Sequence, residues 1–307
     1  MRFVRASNNN LTIDNLCYSF DGVEYKGPYF IHQANEQLIR SEYRGHLFVK
    51  YTFDVRDVPN EVHIMFEKLN YLNIIVNGIS IKPSSVQQSS WDILFSELDI
   101  HDFIKTGKNE IIFEIDYFQK PIVKYALYDP SVTESIKNCL TIDTELESIY
   151  VQGDFYVDNQ NVIVLKPINN INVTDLQKNG FRFFNGSVFF ETSIRYNGGK
   201  CQLRFSGRYM TVKVRNGNKV INAVLNECID ITELLEIGQN KLLIEIVSSP
   251  RNMLGPHHFA GLKEGDWVTP FNFTMYGYWL QEKNPFYDSN YNIVPFGLDS
   301  IELITSR

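Results

Sequence analysis

The alternation of apolar and polar residues predicts the same series of strands twice along the chain. The first series comprises residues 47–53, 62–66, 72–76 and 111–115, and the second comprises residues 188–194, 201–205, 210–214 and 242–246. In each series the third strand runs into an Asn-Gly pair, which favours a tight hairpin because both residues tolerate a positive φ. Strands that recur in the same order predict two copies of one all-β folding unit.

A matching turn precedes the last strand of each series. Asp99 and Asp230 begin segments in which an acid follows three residues later, at Asp102 and Glu233, and this spacing favours a short helical turn. Gly107 and Gly238 then suit the left-handed backbone with which such a turn ends. Each copy is therefore expected to run from the turn through Gly-x-Asn into a strand.

This order of elements resembles the galactose-binding-like β-sandwich, a jelly roll. The resemblance rests on the strand pair that ends in Asn-Gly, on Trp91-Asp92, and on the Asp-Ile turn with its Gly-x-Asn strand. Such sandwiches are accessory, sugar-binding domains of family 2 type glycoside hydrolases and of large bacterial rhamnosidase-like enzymes. The resemblance implies an all-β chain of two tandem jelly-roll sandwiches with short helical turns. It brings no catalytic motif with it.

The predicted boundary between the two sandwiches follows the repeat. We expect the first sandwich at residues 1–158 and the second at residues 159–307, a length of about 150 residues each that suits a domain. The second would carry a long aromatic insert at residues 248–298. Loops of this length are uncommon, and an aromatic one is expected to be ordered and functional.

Composition excludes several classes of partner. The 307 residues carry a net charge of −7 and show no cluster of Lys and Arg, so nucleic acid is not expected as a partner. No stretch of about 18 apolar residues predicts a membrane span, and the first residues lack the apolar core of an export signal. We therefore expect a cytoplasmic protein that does not contact a membrane.

Metal, cofactor and catalytic signatures are equally lacking in the sequence. The four cysteines have no ligand-like spacing, so we expect no metal site and no cofactor. Glycoside hydrolysis needs two acids around a deep cleft, and 36 acids will always offer some plausible pair. The alternating strands and helices of a catalytic barrel are not predicted. Catalysis by this chain alone is not expected, and no catalytic residue is assigned.

Candidate ligand-binding residues cluster in the insert. A loop containing two adjacent histidines, an Arg-Asn pair and a Gly-Pro turn gathers polar groups where binding residues tend to lie. Aromatic rings further along the insert offer a surface on which a sugar ring would stack. The matching loop of the first copy offers a Trp-Asp pair. The candidates are Arg251, Asn252, His257, His258, Asp266, Trp267, Tyr276, Trp279, Trp91 and Asp92.

Each candidate also has an ordinary structural interpretation. The histidines and Asn252 would satisfy loop backbone groups, and the Trp and Tyr rings would cover an open face of a sandwich or contact another domain. Two function classes remain at this point. One is a non-catalytic carbohydrate-binding or scaffold protein associated with a glycoside hydrolase domain or subunit. The alternative is a glycoside hydrolase, complete or a fragment, with its site at the domain interface.

Overall fold

The computed structural model describes residues 1–67, 70–167, 169–224, 228–263, 265–281 and 283–306. Strands hold 43% of the residues and helices 15%, so the predicted all-β class is confirmed. The strands in chain order are β1 Arg2–Ala6, β2 Asn9–Ile13, β3 Asn15–Ser19, β4 Lys26–Phe30, β5 Gly45–Val55, β6 Val62–Glu67, β7 Tyr71–Val76, β8 Ile79–Ile81, β9 Gln87–Gln88, β10 Phe95–Asp99, β11 Gly107–Tyr117, β12 Ile149–Gly153, β13 Tyr156–Val157, β14 Ile163–Val164, β15 Ser187–Tyr196, β16 Lys200–Arg208, β17 Thr211–Asn216, β18 Lys219–Ala223, β19 Cys228–Asp230, β20 Gly238–Val247 and β21 Gly297–Ser306.

Helices in the described residues are few and short. The α-helices are α1 Ile31–Arg40, α2 Pro121–Tyr128, α3 Glu134–Asn138, α4 Arg251–Leu254 and α5 Pro270–Thr274, and the 3₁₀ turns are Pro83–Ser85, His101–Phe103, Leu176–Asn179 and Thr232–Leu234. Two of these turns, His101–Phe103 and Thr232–Leu234, are the predicted Asp-Ile turns. The carboxylates of Asp99 and Asp230 each accept a hydrogen bond, of 2.9 Å, from the N–H group two residues ahead. The repeated aspartate thus binds the first N–H group of each turn, but the N-cap residues are Ile100 and Ile231 and not the predicted aspartates.

Contacts divide the chain into two compact units, neither of which is continuous in sequence. We call Thr12–Gly153 with Gly255–Asn292 the first sandwich, and Met1–Leu11 with Asp154–Leu254 and Ile293–Arg307 the second sandwich. This grouping differs from the continuous halves, 1–158 and 159–307, that the repeat predicts. Most of the aromatic insert groups with the first sandwich, because its polar contacts run to side chains of residues 12–153. The N-terminal strand β1 groups with the second because it pairs with β15 from Arg2 to Ala6.

The first sandwich contains two antiparallel sheets. One has the order β2-β12-β6-β10-β9, and the other includes β4-β3-β5-β11-β7-β8. Along β5 and β11 every second residue is buried, which places the large side chains Tyr51 and Phe113 in the core. Helix α1 covers part of this unit with its buried face, and the Asn35 side chain exchanges two hydrogen bonds with the backbone of Leu146.

The second sandwich packs the sheet β1-β15-β20-β17-β18 against the sheet β19-β16-β21. Its core is rich in aromatic rings, including Phe181, Phe184, Phe190 and Phe205, all buried. The predicted hairpins form in both copies, but the turn differs by one residue. The first copy turns at Asn77-Gly78, between Val76 and Ile79, whereas in the second copy Asn216 pairs with Lys219 and ends β17.

Candidate functional site

The structure distributes the ten sequence candidates over both units. Arg251 and Asn252 belong to the second sandwich, and the other eight belong to the first. Asn252 is buried and holds the backbone of Val294, donating to its carbonyl at 2.8 Å and accepting from its N–H at 2.9 Å. Arg251 begins α4 and is half-buried, and burial lowers the pKa of its guanidinium. Asn252 therefore satisfies backbone groups of a loop, as in its structural interpretation.

The two adjacent histidines are buried in the first sandwich. His257 Nδ1 lies 3.4 Å from the Asn292 carbonyl oxygen, and its ring contacts that of Tyr291. His258 lies between two acceptors, with Nδ1 2.8 Å from the Asp288 carbonyl oxygen and Nε2 3.0 Å from Asp14 Oδ2. Neither histidine is placed to contact a ligand from solvent.

Trp279 is buried as well, with 4% of its surface exposed. Its ring contacts those of Phe30, His32 and Tyr287, and its indole N–H donates to the carbonyl of Thr274. Its backbone N–H donates to Glu36 Oε2 at 3.2 Å. These contacts give Trp279 a packing role in which no ring face is free for stacking.

Asp266 and Trp267 lie at the surface. Asp266 accepts a hydrogen bond of 2.7 Å from the Lys263 backbone N–H and closes a local turn. Trp267 is 93% exposed. Arg251 and Asp266, which are both candidates for holding a sugar, belong to different units.

The remaining candidates, Trp91, Asp92 and Tyr276, are associated with one end of the sheet β2-β12-β6-β10-β9. The strand β6 ends at Glu67, and its two neighbours, β10 and β12, run antiparallel to it. The loops that enter β10 and β12 therefore lie at the same end as Glu67. The first loop carries Trp91 and Asp92. The second carries Glu145 and Glu147. We call Glu67, Trp91, Asp92, Glu145, Glu147 and Tyr276 the acidic end.

Local turns fix the geometry of the β10 loop. Asp92 accepts a hydrogen bond of 2.8 Å from the Leu94 N–H through its side chain, and one of 3.2 Å from the Phe95 N–H through its carbonyl. The Trp91 N–H donates to the Ser89 hydroxyl at 3.2 Å, and the Trp91 ring meets the Phe95 ring edge-on at 5.3 Å. Trp91 is still 42% exposed. One aromatic surface thus remains accessible beside the carboxylate of Asp92.

The carboxylates at the acidic end raise one another's pKa. Burial raises the pKa of Glu147 well above its usual value, and the charges of Glu145 and Glu67 add to that rise. Burial also raises the pKa of Glu145, which the hydrogen bond from Tyr276 opposes and the charge of Glu67 increases. For Glu67 the causes are burial and then Asp92. Each of the three holds a proton more readily than an isolated glutamate does.

Hydrogen bonds, but no cation of the described residues, compensate these carboxylates. Those of Asp92 and Glu147 accept from the backbone N–H groups of Leu94 and Ser148. The Tyr276 hydroxyl donates to Glu145 Oε1 at 3.3 Å. Within the ranges that the structure describes, no Lys, Arg or His lies within 4 Å of the carboxylate of Glu67, Asp92, Glu145 or Glu147. Among the residues that the structure describes, the acidic end therefore presents hydrogen-bond acceptors and an aromatic ring without a neutralising charge.

Sequence reasoning missed Glu67, Glu145, Glu147 and Asp14. A signal for two of them was available, because Glu145 and Glu147 flank the buried Leu146 and so share a direction on an extended segment just before β12. No local signal distinguishes Glu67 from the other acids. Its role depends on the register of β6 with β10, where it pairs with Phe95.

Two further observations concern metal sites and membrane spans in the described residues. No group of three or more His, Cys, Asp or Glu side chains is arranged to hold a metal ion in the described part of the chain. In the same residues, no helix has both the length and the apolar character that a membrane span requires.

Comparisons with known proteins give only remote matches. No family model matches the chain, and no curated protein matches it. The solved structures that it resembles include a β-D-mannosidase from Dictyoglomus thermophilum, at 12% identity and a TM-score of 0.31, over 78% of this chain and 31% of that one. A β-glucuronidase from Ruminococcus gnavus gives 10% identity and a TM-score of 0.32, over 81% and 41% of the two chains.

A rhamnosidase from Novosphingobium sp. PP1Y is similar at 14% identity and a TM-score of 0.31, over 84% of this chain and 22% of that one. The chain thus spans between about a fifth and two fifths of these three structures. At TM-scores this low the likeness supports no conclusion about the activity of this protein.

Proposed function

We propose that the protein is a non-catalytic carbohydrate-binding protein associated with glycoside hydrolase activity, and that the acidic end of the first sandwich contacts the sugar. The observation that carries the proposal is the accessible Trp91 ring beside four carboxylates that have no cation partner in the described residues. Sugar hydroxyl groups donate hydrogen bonds to carboxylates, and the apolar face of a pyranose packs on an aromatic ring. The resemblance of the repeat to sugar-binding accessory sandwiches supports the choice of ligand class.

The charge of the acidic end favours particular sugars. Neutral sugars offer donors without repulsion, whereas a uronic acid would bring a further negative charge to Glu67, Asp92, Glu145 and Glu147. Like charges at close range disfavour binding. We therefore expect neutral and amino sugars to bind in preference to uronic acids.

Calorimetric titration with a panel of neutral, amino and uronic monosaccharides tests the proposal. We expect Trp91→Ala to weaken binding about tenfold, which corresponds to a loss of about 1.4 kcal/mol. Glu145→Gln should weaken it by about 10- to 100-fold, because a hydrogen bond to a charged group contributes about 1.5–3 kcal/mol. Trp267→Ala is the matched control, since it removes an exposed tryptophan elsewhere in the same sandwich, and it should bind as the parent does.

Two results would contradict the assignment. Binding that is lost in Trp267→Ala and kept in Trp91→Ala would move the site to the insert. The absence of heat for every sugar class would remove the binding role and leave the scaffold role. The exposed apolar side chains of the insert, which a partner domain would cover, favour that role: Trp267, Val268, Phe271, Phe273 and Leu280.

Glycoside hydrolysis is the second candidate, and the raised pKa of Glu147 favours it. A general acid in such enzymes has a raised pKa, but it works beside a second carboxylate that stays ionised. At the acidic end burial raises the pKa of Glu67, Glu145 and Glu147 alike. Turnover of aryl glycosides by the parent that disappears in Glu147→Gln would establish catalysis and overturn the non-catalytic proposal.

A further inference from the structure

The insert is attached to the rest of the first sandwich through carboxylates. Within the described residues, insert residues donate hydrogen bonds to acids of residues 12–153. His258 and Tyr291 both bind Asp14, at 3.0 and 2.7 Å, the Trp279 N–H binds Glu36 at 3.2 Å, and the Tyr276 hydroxyl binds Glu145 at 3.3 Å. Asp14, His258 and Tyr291 form a group that we call the buried network.

The geometry of His258 specifies its protonation. Both ring nitrogens face acceptors, the Asp288 carbonyl oxygen at Nδ1 and the Asp14 carboxylate at Nε2. A neutral imidazole carries one N–H group and can donate to only one of them, whereas an imidazolium donates to both. The buried network is therefore complete only when His258 is charged. Asp14 is 2% exposed, so its carboxylate has little water to replace a lost partner.

We propose that protonation of His258 controls the attachment of the insert, so that residues 255–292 dock on residues 12–153 when His258 is charged and loosen when it is neutral. The proposal goes beyond the proposed function and does not depend on sugar binding.

The other charged and titratable groups around His258 agree with this role. Burial alone lowers the pKa of His258, but the hydrogen bond and charge of Asp14, and then those of Asp288, raise it overall. His32 on α1 does not compete for the proton, because burial lowers its pKa to about 4. The rings of Tyr287, Tyr291 and His257 complete the surroundings, and burial raises the pKa of Tyr287. Ionisation of Tyr287 therefore lies above the range of interest.

The direction of the pH effect follows from the raised pKa. The folded state binds the His258 proton more tightly than the unfolded chain does, so the stabilisation is fully present below the ordinary histidine pKa of about 6.5. It is lost as pH rises through the folded-state value. Attachment of the insert should weaken by up to about tenfold for each pH unit between about 6.5 and that value, and no further above it, because His258 is then neutral in both the attached and the detached state.

A protein with a single tryptophan reports the docking directly. Trp279 is buried against Phe30, while Trp91 and Trp267 are the only other tryptophans of the chain. In Trp91→Phe/Trp267→Phe, emission should shift to longer wavelength between pH 6 and 9. After correction for the intrinsic rise of amide exchange with pH, hydrogen exchange of peptides from residues 255–292 should show a step to faster exchange over the same range, and peptides of β20 should show no step.

Matched variants distinguish the effect of His258 protonation from a general loss of stability. Tyr291→Phe removes one hydrogen bond to Asp14 and keeps His258. The corrected hydrogen exchange of residues 255–292 should therefore be faster at every pH, and its step with pH should remain. His258→Gln should abolish the step. A step that persists in His258→Gln, or its absence from the parent, would overturn the proposal. If His258→Gln does not fold, ¹⁵N spectra of the parent decide, because a neutral His258 at pH 6 also overturns it.

Discussion

At the residue scale, the strongest common feature of the two copies is a pair of asparagines. Asn109 accepts from the Lys105 N–H at 2.8 Å and donates to the carbonyls of Lys105 and Gly107 at 2.7 and 2.9 Å, and Asn77 donates to it at 2.8 Å. In the second copy Asn240 makes the same bonds to residues 236 and 238, and Asn216 replaces Asn77. The asparagine of Gly-x-Asn thus organises the turn that the repeat predicts.

Replacement of these asparagines should destabilise each sandwich by a similar amount. Asn109→Ala and Asn240→Ala remove a buried side chain with three backbone bonds and leave donors and acceptors unpaired, so we expect each to cost about 2–4 kcal/mol. Urea unfolding measures the change. Asn222→Ala, an exposed position on β18, should stay within about 0.5 kcal/mol of the parent. Equal, small losses in all three variants would contradict this role.

At the element scale, the strands were predictable and the helices less so. The alternation of apolar and polar residues predicted the strands of both copies, because each strand buries every second side chain, as β5 and β11 do. Helix α1 is not among the elements that the sequence patterns predicted, because the turn signals Asp21-Gly22 and Gly27-Pro28 favour irregular structure just before it. Its helical period was nevertheless present, with Ile31, Ala34, Asn35, Leu38 and Ile39 all on the buried face. Turn signals outweighed periodicity in a short segment.

The bulge in β16 offers an element-scale test. The register between β16 and β21 shifts between Ser206 and Gly207, and a Cβ at Gly207 would lie 2.3 Å from the Gly297 carbonyl oxygen. Gly207→Ala should therefore cost about 3 kcal/mol, as backbone atoms cannot easily move aside. Gly238→Ala is the control, with a positive φ of 112° but open space, and should cost about 1–2 kcal/mol. Thermal unfolding that ranks them in the opposite order would refute the steric explanation.

At the scale of the whole molecule, the sequence predicts two folding units but not which segments build them. The repeat identifies the strands that occur twice, but the insert is not part of the repeat. The sequence pattern therefore could not predict that His258 and Tyr291 bind Asp14. Only some residues of the acidic end could be predicted, because others reach it through contacts between distant parts of the sequence. Trp91, Asp92 and Tyr276 were candidates by residue type, whereas Glu67 depends on strand register. Contacts between residues distant in sequence leave no local pattern.

The composition of the units predicts which variants share an unfolding transition. Trp279→Ala should lower the transition that Phe113→Ala lowers, because both residues belong to the first sandwich. Phe205→Ala should affect the other transition. Each change creates a cavity at a buried aromatic residue and should cost about 3–5 kcal/mol. Hydrogen exchange during thermal unfolding assigns the transitions, and a Trp279→Ala effect confined to peptides of β15 and β20 would contradict the grouping.

The pairing of β1 with β15 affects how the chain folds during synthesis. Arg2 lies opposite Glu191, so β1 leaves the ribosome well before the strand with which it pairs. The first sandwich likewise stays incomplete until residues 255–292 emerge. Until those segments are made, a nascent chain therefore carries an unpaired strand and an uncovered apolar surface, which is the condition under which chaperones are needed.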